Sequence, residues 1–167
     1  GIAFSTSATQ RYGRLVLRNA VGSELLDLPV SLSTQYYVSA AVGFTPNTGD
    51  SCTTAPAISL SGFQGALAAG ETCVRDTGSP GVSAVGCAAP APSGSRYRAT
   101  PLAGAFNLTL AAPGSGNSGT TLITATAPTW LQFDWNAATS GNENPTALAS
   151  FGLFPGPSSR IFQREVF

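Results

Sequence analysis

The chain has 167 residues, no net charge at neutral pH, 43% hydrophobic residues and only 10% charged ones. That length and apolar share suffice for one domain with a buried core, and they exclude a disordered chain, which needs low hydrophobicity and high net charge. All eight basic residues are Arg, and His, Lys and Met are absent, so the commonest general base, the commonest metal ligand and the Schiff-base amine are missing together.

Nucleic-acid binding draws its affinity from a basic field, which eight dispersed Arg balanced by eight acids do not supply, so no nucleic-acid partner is expected. No apolar run approaches the roughly 20 residues of a membrane-spanning helix, so no membrane insertion is expected. No basic, hydrophobic leader opens the chain. Without Met the polypeptide does not begin at an initiator, and it reads as a mature fragment.

In chain order, Gly1 to Thr9 is uncharged and alternates around Ile2 and Phe4. Residues 1–10 therefore read as an N-terminal extension able to act as a donor strand, with Ile2 and Phe4 as the assembly residues. Residues 11–167 read as one domain. Arg14 to Arg18 predicts a strand. Ser23 to Asp27 is the best helical candidate, stopped by Pro29. Leu28 to Val38 predicts a longer strand, with Val30, Leu32, Thr34 and Tyr36 on one face. In the next run Ile58, Leu60 and Gly62 alternate with Ser59, Ser61 and Phe63.

Residues 64–101 differ, because Ala, Gly, Ser and Pro dominate, and they read as a long insertion rather than a second domain. Cys52, Cys73 and Cys87 sit in Ser, Thr, Gly and Pro-rich surroundings, which suits an exported, oxidising compartment. Three is odd, so at most one internal disulfide forms, and one thiol stays free, buried or bonded to another chain. Cys73 and Cys87 bracket a loop that can turn at Gly78-Ser79-Pro80-Gly81, and they are the favoured pair. Closing such a loop contributes roughly 3 kcal/mol. Cys52 then reads as a small buried hydrophobe. Three thiols without CxxC spacing and without His make a poor zinc site.

Further on, Ala105 to Leu110 aligns Phe106, Leu108 and Leu110, and Thr120 to Ala127 is β-branched and small. Trp130 to Trp135 predicts a strand with Leu131, Phe133 and Trp135 toward the core. Ala147 to Phe154 and Arg160 to Phe167 close the chain as alternating runs, and Pro, Gly, Asn and Asp clusters fill the gaps. The pattern predicts an all-β fold, an immunoglobulin-like or Greek-key β-sandwich of about seven to nine short strands carrying one long insertion.

Candidate chemistry is sparse. A nucleophilic serine lacks a base, and the acids lie mostly beside Arg or in turns, so no enzyme and no cofactor is expected. Asn107-Leu108-Thr109 has the form of a glycosylation acceptor but falls in mid-strand. Trp130, Trp135, Tyr36, Tyr37 and Tyr97 are the aromatics able to offer a sugar platform. With Trp135 assigned to the core, Trp130 and Tyr97 remain as the ligand-facing pair.

A resemblance rests on an ordered set of segments spanning nearly the whole chain. It begins with Gly13-Arg14-Leu15-Val16-Leu17-Arg18-Asn19-Ala20 and Gly22-Ser23-Glu24-Leu25-Leu26, running into Leu28-Pro29-Val30. Tyr36-Tyr37, Asp50-Ser51-Cys52-Thr53, Ala112-Pro113-Gly114 and Trp130-Leu131-Gln132-Phe133-Asp134-Trp135 follow, and Phe151-Gly152, Arg160-Ile161-Phe162 and Arg164-Glu165-Val166-Phe167 end it. The set resembles the C-terminal domain of MshQ-like proteins, surface proteins associated with mannose-sensitive haemagglutinin pili of Gram-negative bacteria. The resemblance implies an exported, β-rich, pilus-linked protein and supplies no catalytic residues. Relatives tend to carry an acidic, calcium-like loop after this Trp-containing strand. Here that loop holds only Asp134 and Glu143 as charges, so a capped turn without metal is expected. The cysteine-bearing stretch from Cys73 to Arg98 is also longer than in relatives.

These readings combine into an expectation of a non-enzymatic, extracellular or cell-surface structural module of a filament or pilus-associated assembly. Its partners would be copies of itself or other pilus and surface proteins, joined by strand donation or edge pairing. The alternative is a surface adhesin or carbohydrate-binding domain.

Overall fold

Period-two alternation places every second side chain on one face of a strand, and the described residues realise it in nine strands. The chain is seen in a computed structural model, which describes residues 11–75, 97–135 and 141–152. The strands are β1 (Gly13–Leu17), β2 (Ala20–Gly22), β3 (Leu28–Val30), β4 (Leu32–Ser39), β5 (Gly43–Pro46), β6 (Ala57–Gly65), β7 (Leu108–Leu110), β8 (Gly119–Thr126) and β9 (Thr146–Phe151). One short 3-10 turn, Thr129–Leu131, is the helical content of the described residues.

A three-stranded sheet has the order β1-β4-β5, a four-stranded sheet the order β2-β9-β8-β6, and β3 and β7 form a ribbon. Pairing is antiparallel except between β2 and β9. All three units bury apolar residues in one core: Leu15, Leu17 and Leu32 from the first sheet, Ile58, Ile123, Ala149 and Phe151 from the second, and Leu28, Val30, Leu108 and Leu110 from the ribbon. The fold is an all-β sandwich, as the alternation predicts.

Several local expectations are corrected. The run Leu28 to Val38 is two strands in different sheets: β3 pairs with β7, β4 pairs with β1, and the chain crosses between them at Ser31. Val30, Leu32 and Thr34 of the expected face are buried across that crossing, while Tyr36 is only half-buried. Ser23 to Asp27 forms a turn instead of a helix. Leu26 N donates to Ser23 O (3.4 Å) and Leu25 N to Ser23 Oγ (3.2 Å), which leaves both leucines exposed.

In β6 the register slips between Ser61 and Gln64, where three steps on β6 oppose two on β8. This bulge, with Gly62 at φ +61, reverses the alternation and brings Phe63 against the core beside Leu60.

The described parts of the stretch at 64–101 reach the core. Leu67, Thr72, Cys73 and Val74 are buried, and Val74 bridges Leu110 as an added rung beside β7. Tyr97 N donates to Arg75 O (2.9 Å), so residues 75 and 97 are held together. Cys73 is disulfide-bonded, while Cys87, its expected partner, lies outside the described residues. Cys52 is a free, exposed thiol, contrary to the buried position expected of it. Its neighbour Asp50 takes the interior instead: the carboxylate accepts from Thr34 Oγ1 (2.8 Å), Thr53 N (3.0 Å) and Cys52 N (3.2 Å), and this turn directs residue 52 outward.

Candidate functional site

The outward face of the three-stranded sheet gathers an arginine and five aromatic rings. Arg14 on β1 stands opposite Gln35 on β4, and Tyr37 on β4 stands opposite Phe44 on β5. Tyr12 extends this side of β1, its carbonyl accepting from Tyr37 N (2.7 Å). The β4–β5 hairpin that presents Phe44 turns tightly, with Val42 N donating to Ser39 O and Gly43 at φ +73.

Phe133 and Trp135 arrive from the far end of the sequence. Pro128 accepts from Leu131 N (2.8 Å) and so starts the 3-10 turn. That turn breaks the alternation expected of Trp130 to Trp135. Leu131 enters the core, but Phe133 and Trp135 pack on the outward side, and Trp135 is 39% exposed instead of core-facing. The carboxamide of Asn144 fixes the approach, accepting from Ala127 N (2.9 Å) and Gln132 Nε2 (3.2 Å). Phe133 and Glu143 exchange both backbone hydrogen bonds.

The rings form a continuous chain of contacts. Centroid separations are 5.5 Å for Tyr37–Phe44, 5.8 Å for Tyr12–Phe44, 5.3 Å for Phe44–Phe133 and 5.1 Å for Phe133–Trp135, with tilted or edge-on geometry. Such pairings suit the aromatic quadrupole. The Arg14 guanidinium lies 3.9 Å from the Phe44 centroid, 4.9 Å from Phe133 and 5.0 Å from Trp135. Its Nε (3.0 Å) and Nη2 (2.9 Å) both donate to Gln35 Oε1, which locks the plane of the fork. Partial burial, and next the nearby Arg18 charge, lower the Arg14 pKa, while Tyr12 raises it. On the opposite strand phase, the Arg11 guanidinium stacks 4.3 Å from the Tyr36 ring. The face therefore holds an oriented cation framed by rings.

The sequence-derived site residues fare differently. Tyr97, expected to face a ligand, is wholly buried; its hydroxyl donates to Pro56 O (2.8 Å) and its ring packs on Phe106 at 6.3 Å. An aromatic in a Pro and Ser-rich stretch looks exposed in one dimension, yet here it plugs the core. Trp130 is 64% exposed, as a ligand-facing residue requires, but it takes part in none of the ring pairs. Ile2, Phe4 and Cys87 lie outside the described residues. Tyr12, Arg14, Gln35, Phe44 and Phe133 were missed. The usable signal was the alternation Tyr12-x-Arg14 beside Gln35-x-Tyr37, which places four polar-tipped or aromatic residues on the face opposite Leu15 and Thr34.

Two carboxylates elsewhere are structural. Burial raises the Asp27 pKa, but hydrogen bonds from Arg75 and from Ala112 N outweigh it and hold the carboxyl below its ordinary value. The Arg75 fork is bidentate (3.0 Å and 3.0 Å), and Ala112 N donates at 3.0 Å, so Asp27 ties the segment after β6 to the end of β7. For Asp50, burial again raises the pKa, and donors from Thr53, Thr34 and Cys52 outweigh it. Among the described residues no group of three or more His, Cys, Asp or Glu could hold a metal ion, and no helix is long and apolar enough to cross a membrane.

No curated protein and no solved structure matches the chain. A family model, described as DUF6701, fourth domain, matches residues 11–166. That span takes in both outer sheets, the ribbon and every described residue of the arginine–aromatic face, and the chain belongs to the DUF6701 fourth-domain family.

Proposed function

We propose that this domain is a non-enzymatic contact module of an exported surface protein, pilus-linked as the resemblance to the MshQ-like C-terminal domain implies, and that it binds through the Tyr12–Arg14–Trp135 face. The observation that carries this reading is the investment of five rings and a locked guanidinium on the side of the sheet away from the core, with Tyr12, Tyr37 and Trp135 all more than a third exposed. A family defined as a fourth domain supports a module working within a longer chain. The Cys73 disulfide suits an oxidising compartment. Adhesion to carbohydrate is the mode such a face serves best, since exposed rings stack on the C–H faces of sugars. A glycan array probed with the wild type and with Trp135→Ala tests it. Binding abolished by the substitution is the expected result; no glycan bound, or binding indifferent to Trp135, rejects the reading.

Self-association is a second reading, favoured by β6. This nine-residue, uncharged strand occupies the edge of the four-stranded sheet and is paired on one side only among the described residues. Such an edge invites pairing by another copy, although the bulge at Ser61–Gln64 shortens the usable length. The donor would be residues 1–10, with Ile2 and Phe4 as anchors. Sedimentation velocity and electron microscopy of the whole chain, against a variant lacking residues 1–9, decide it. Assembly lost on truncation supports strand donation, and a monomer at every concentration rejects it.

A further inference from the structure

We infer that the arginine–aromatic face selects saccharides bearing a carboxylate, with Arg14 as the residue that reads the charge. This rests on the reading of that face as a binding surface and adds the chemical class of its ligand.

Charge carries the argument. Strands β1, β4 and β5 contain Arg14 and no Asp or Glu, and Arg11 and Arg18 flank β1. Arg14 makes no salt bridge among the described residues. Among the described residues the one ion pair is Arg75–Asp27, made by other residues. Arg14 thus presents a cation without a salt bridge on this face, which complements an anion, while the acids of the adjoining segment, Asp134 and Glu143, belong to the Phe133 ladder.

Geometry narrows the anion. Gln35 occupies Nε and one hydrogen of Nη2, so Nη1 and the second Nη2 hydrogen have no protein acceptor among the described residues. Adjacent guanidinium N–H groups held in a plane match the two oxygens of a carboxylate. The surrounding rings exclude water from one side of that contact and offer their exposed surfaces to a sugar ring. An oligonucleotide would also use rings and arginine, but it needs a basic track along its phosphates. Here one locked cation sits in a chain whose eight acids cancel its eight Arg.

The test measures binding of the full chain to polygalacturonate, to the same polymer after methyl esterification, and to oligothymidylate. Esterification keeps the sugar ring and removes the charge. The expected result is polygalacturonate bound at least about tenfold more tightly than the ester, the order of one charge-assisted bidentate contact. Arg14→Lys, which keeps the charge but loses the fork, lowers that preference, whereas Trp135→Ala weakens both polymers. Equal binding of acid and ester overturns the carboxylate inference and leaves the binding face standing. Binding that does not depend on Trp135 removes both. No binding to either polymer, or tighter binding to oligothymidylate, overturns the saccharide class. Should Arg14→Lys fail to fold, as read by thermal melting, the comparison of acid with ester in the wild type still decides.

Discussion

The two larger sheets bury their inner faces by the same alternation, yet their outer faces are opposites. The four-stranded sheet shows solvent Val21, Ser59, Ser61, Leu122, Thr124 and Leu148, with no charged residue in any of its strands. Small and β-branched side chains satisfy strand propensity there, Leu122 stands opposite Leu148, and neither a charge nor an aromatic ring joins them. The three-stranded sheet instead carries Arg14, Gln35, Tyr37 and Phe44, joined by Tyr12, Phe133 and Trp135 in hydrogen-bonded and stacked contacts. A wet sheet face needs only what the first provides. The difference separates residues chosen for folding from residues whose cost in exposed aromatic surface calls for a partner.

Ile123 is completely buried in β8, and Ile123→Ala should remove about 3 kcal/mol of unfolding free energy in urea titrations, transfer and cavity effects together. An equal loss on truncating Phe44 would mean that the aromatic face is a second core, and the contrast between the sheets would collapse. Asp50→Ala comes next, at about 2 kcal/mol, because it leaves the donors of Thr34, Cys52 and Thr53 without their acceptor. This contribution carries a pH signature. Asp27 and Asp50 have folded pKa values below the unfolded value of about 3.9. Their stabilisation is therefore complete above that value and is lost as pH falls through the folded ones. Melting temperature should drop steeply below about pH 4 in the wild type and less steeply in Asp50→Asn.

Trp135→Ala should leave stability within about 1 kcal/mol while abolishing ligand binding, a separation that array binding and melting together can read. Leu122→Ser, on the plain outer face, should change stability by about 0.5 kcal/mol or less and binding not at all. If Leu122→Ser instead cost binding, the working face would be the wrong one.

Much of the core was legible in the chain. Phe106, Leu108 and Leu110, and Val30, Leu32 and Thr34, all fall on buried faces, because a period of two is a local property that burial on one side imposes. Where reading failed, a local event had reset the phase. The bulge in β6 turned Phe63 inward, and the 3-10 turn after Pro128 sent Trp135 outward. Composition misled at Tyr97 and Cys73, buried within a stretch whose small residues resemble a loop, because backbone pairings with Arg75, Thr109 and Ala111 hold its described ends against the core.

From residue order alone followed an all-β chain lacking His, Lys and Met, and the identity of much of its interior. Those follow from alternation and from composition, which act over a few residues. The candidate site did not follow, since Tyr12 and Arg14 meet Phe133 and Trp135 only after nearly the whole chain has folded between them. Which strands become neighbours is settled by the joint burial of all three β units, a global balance that no local pattern encodes.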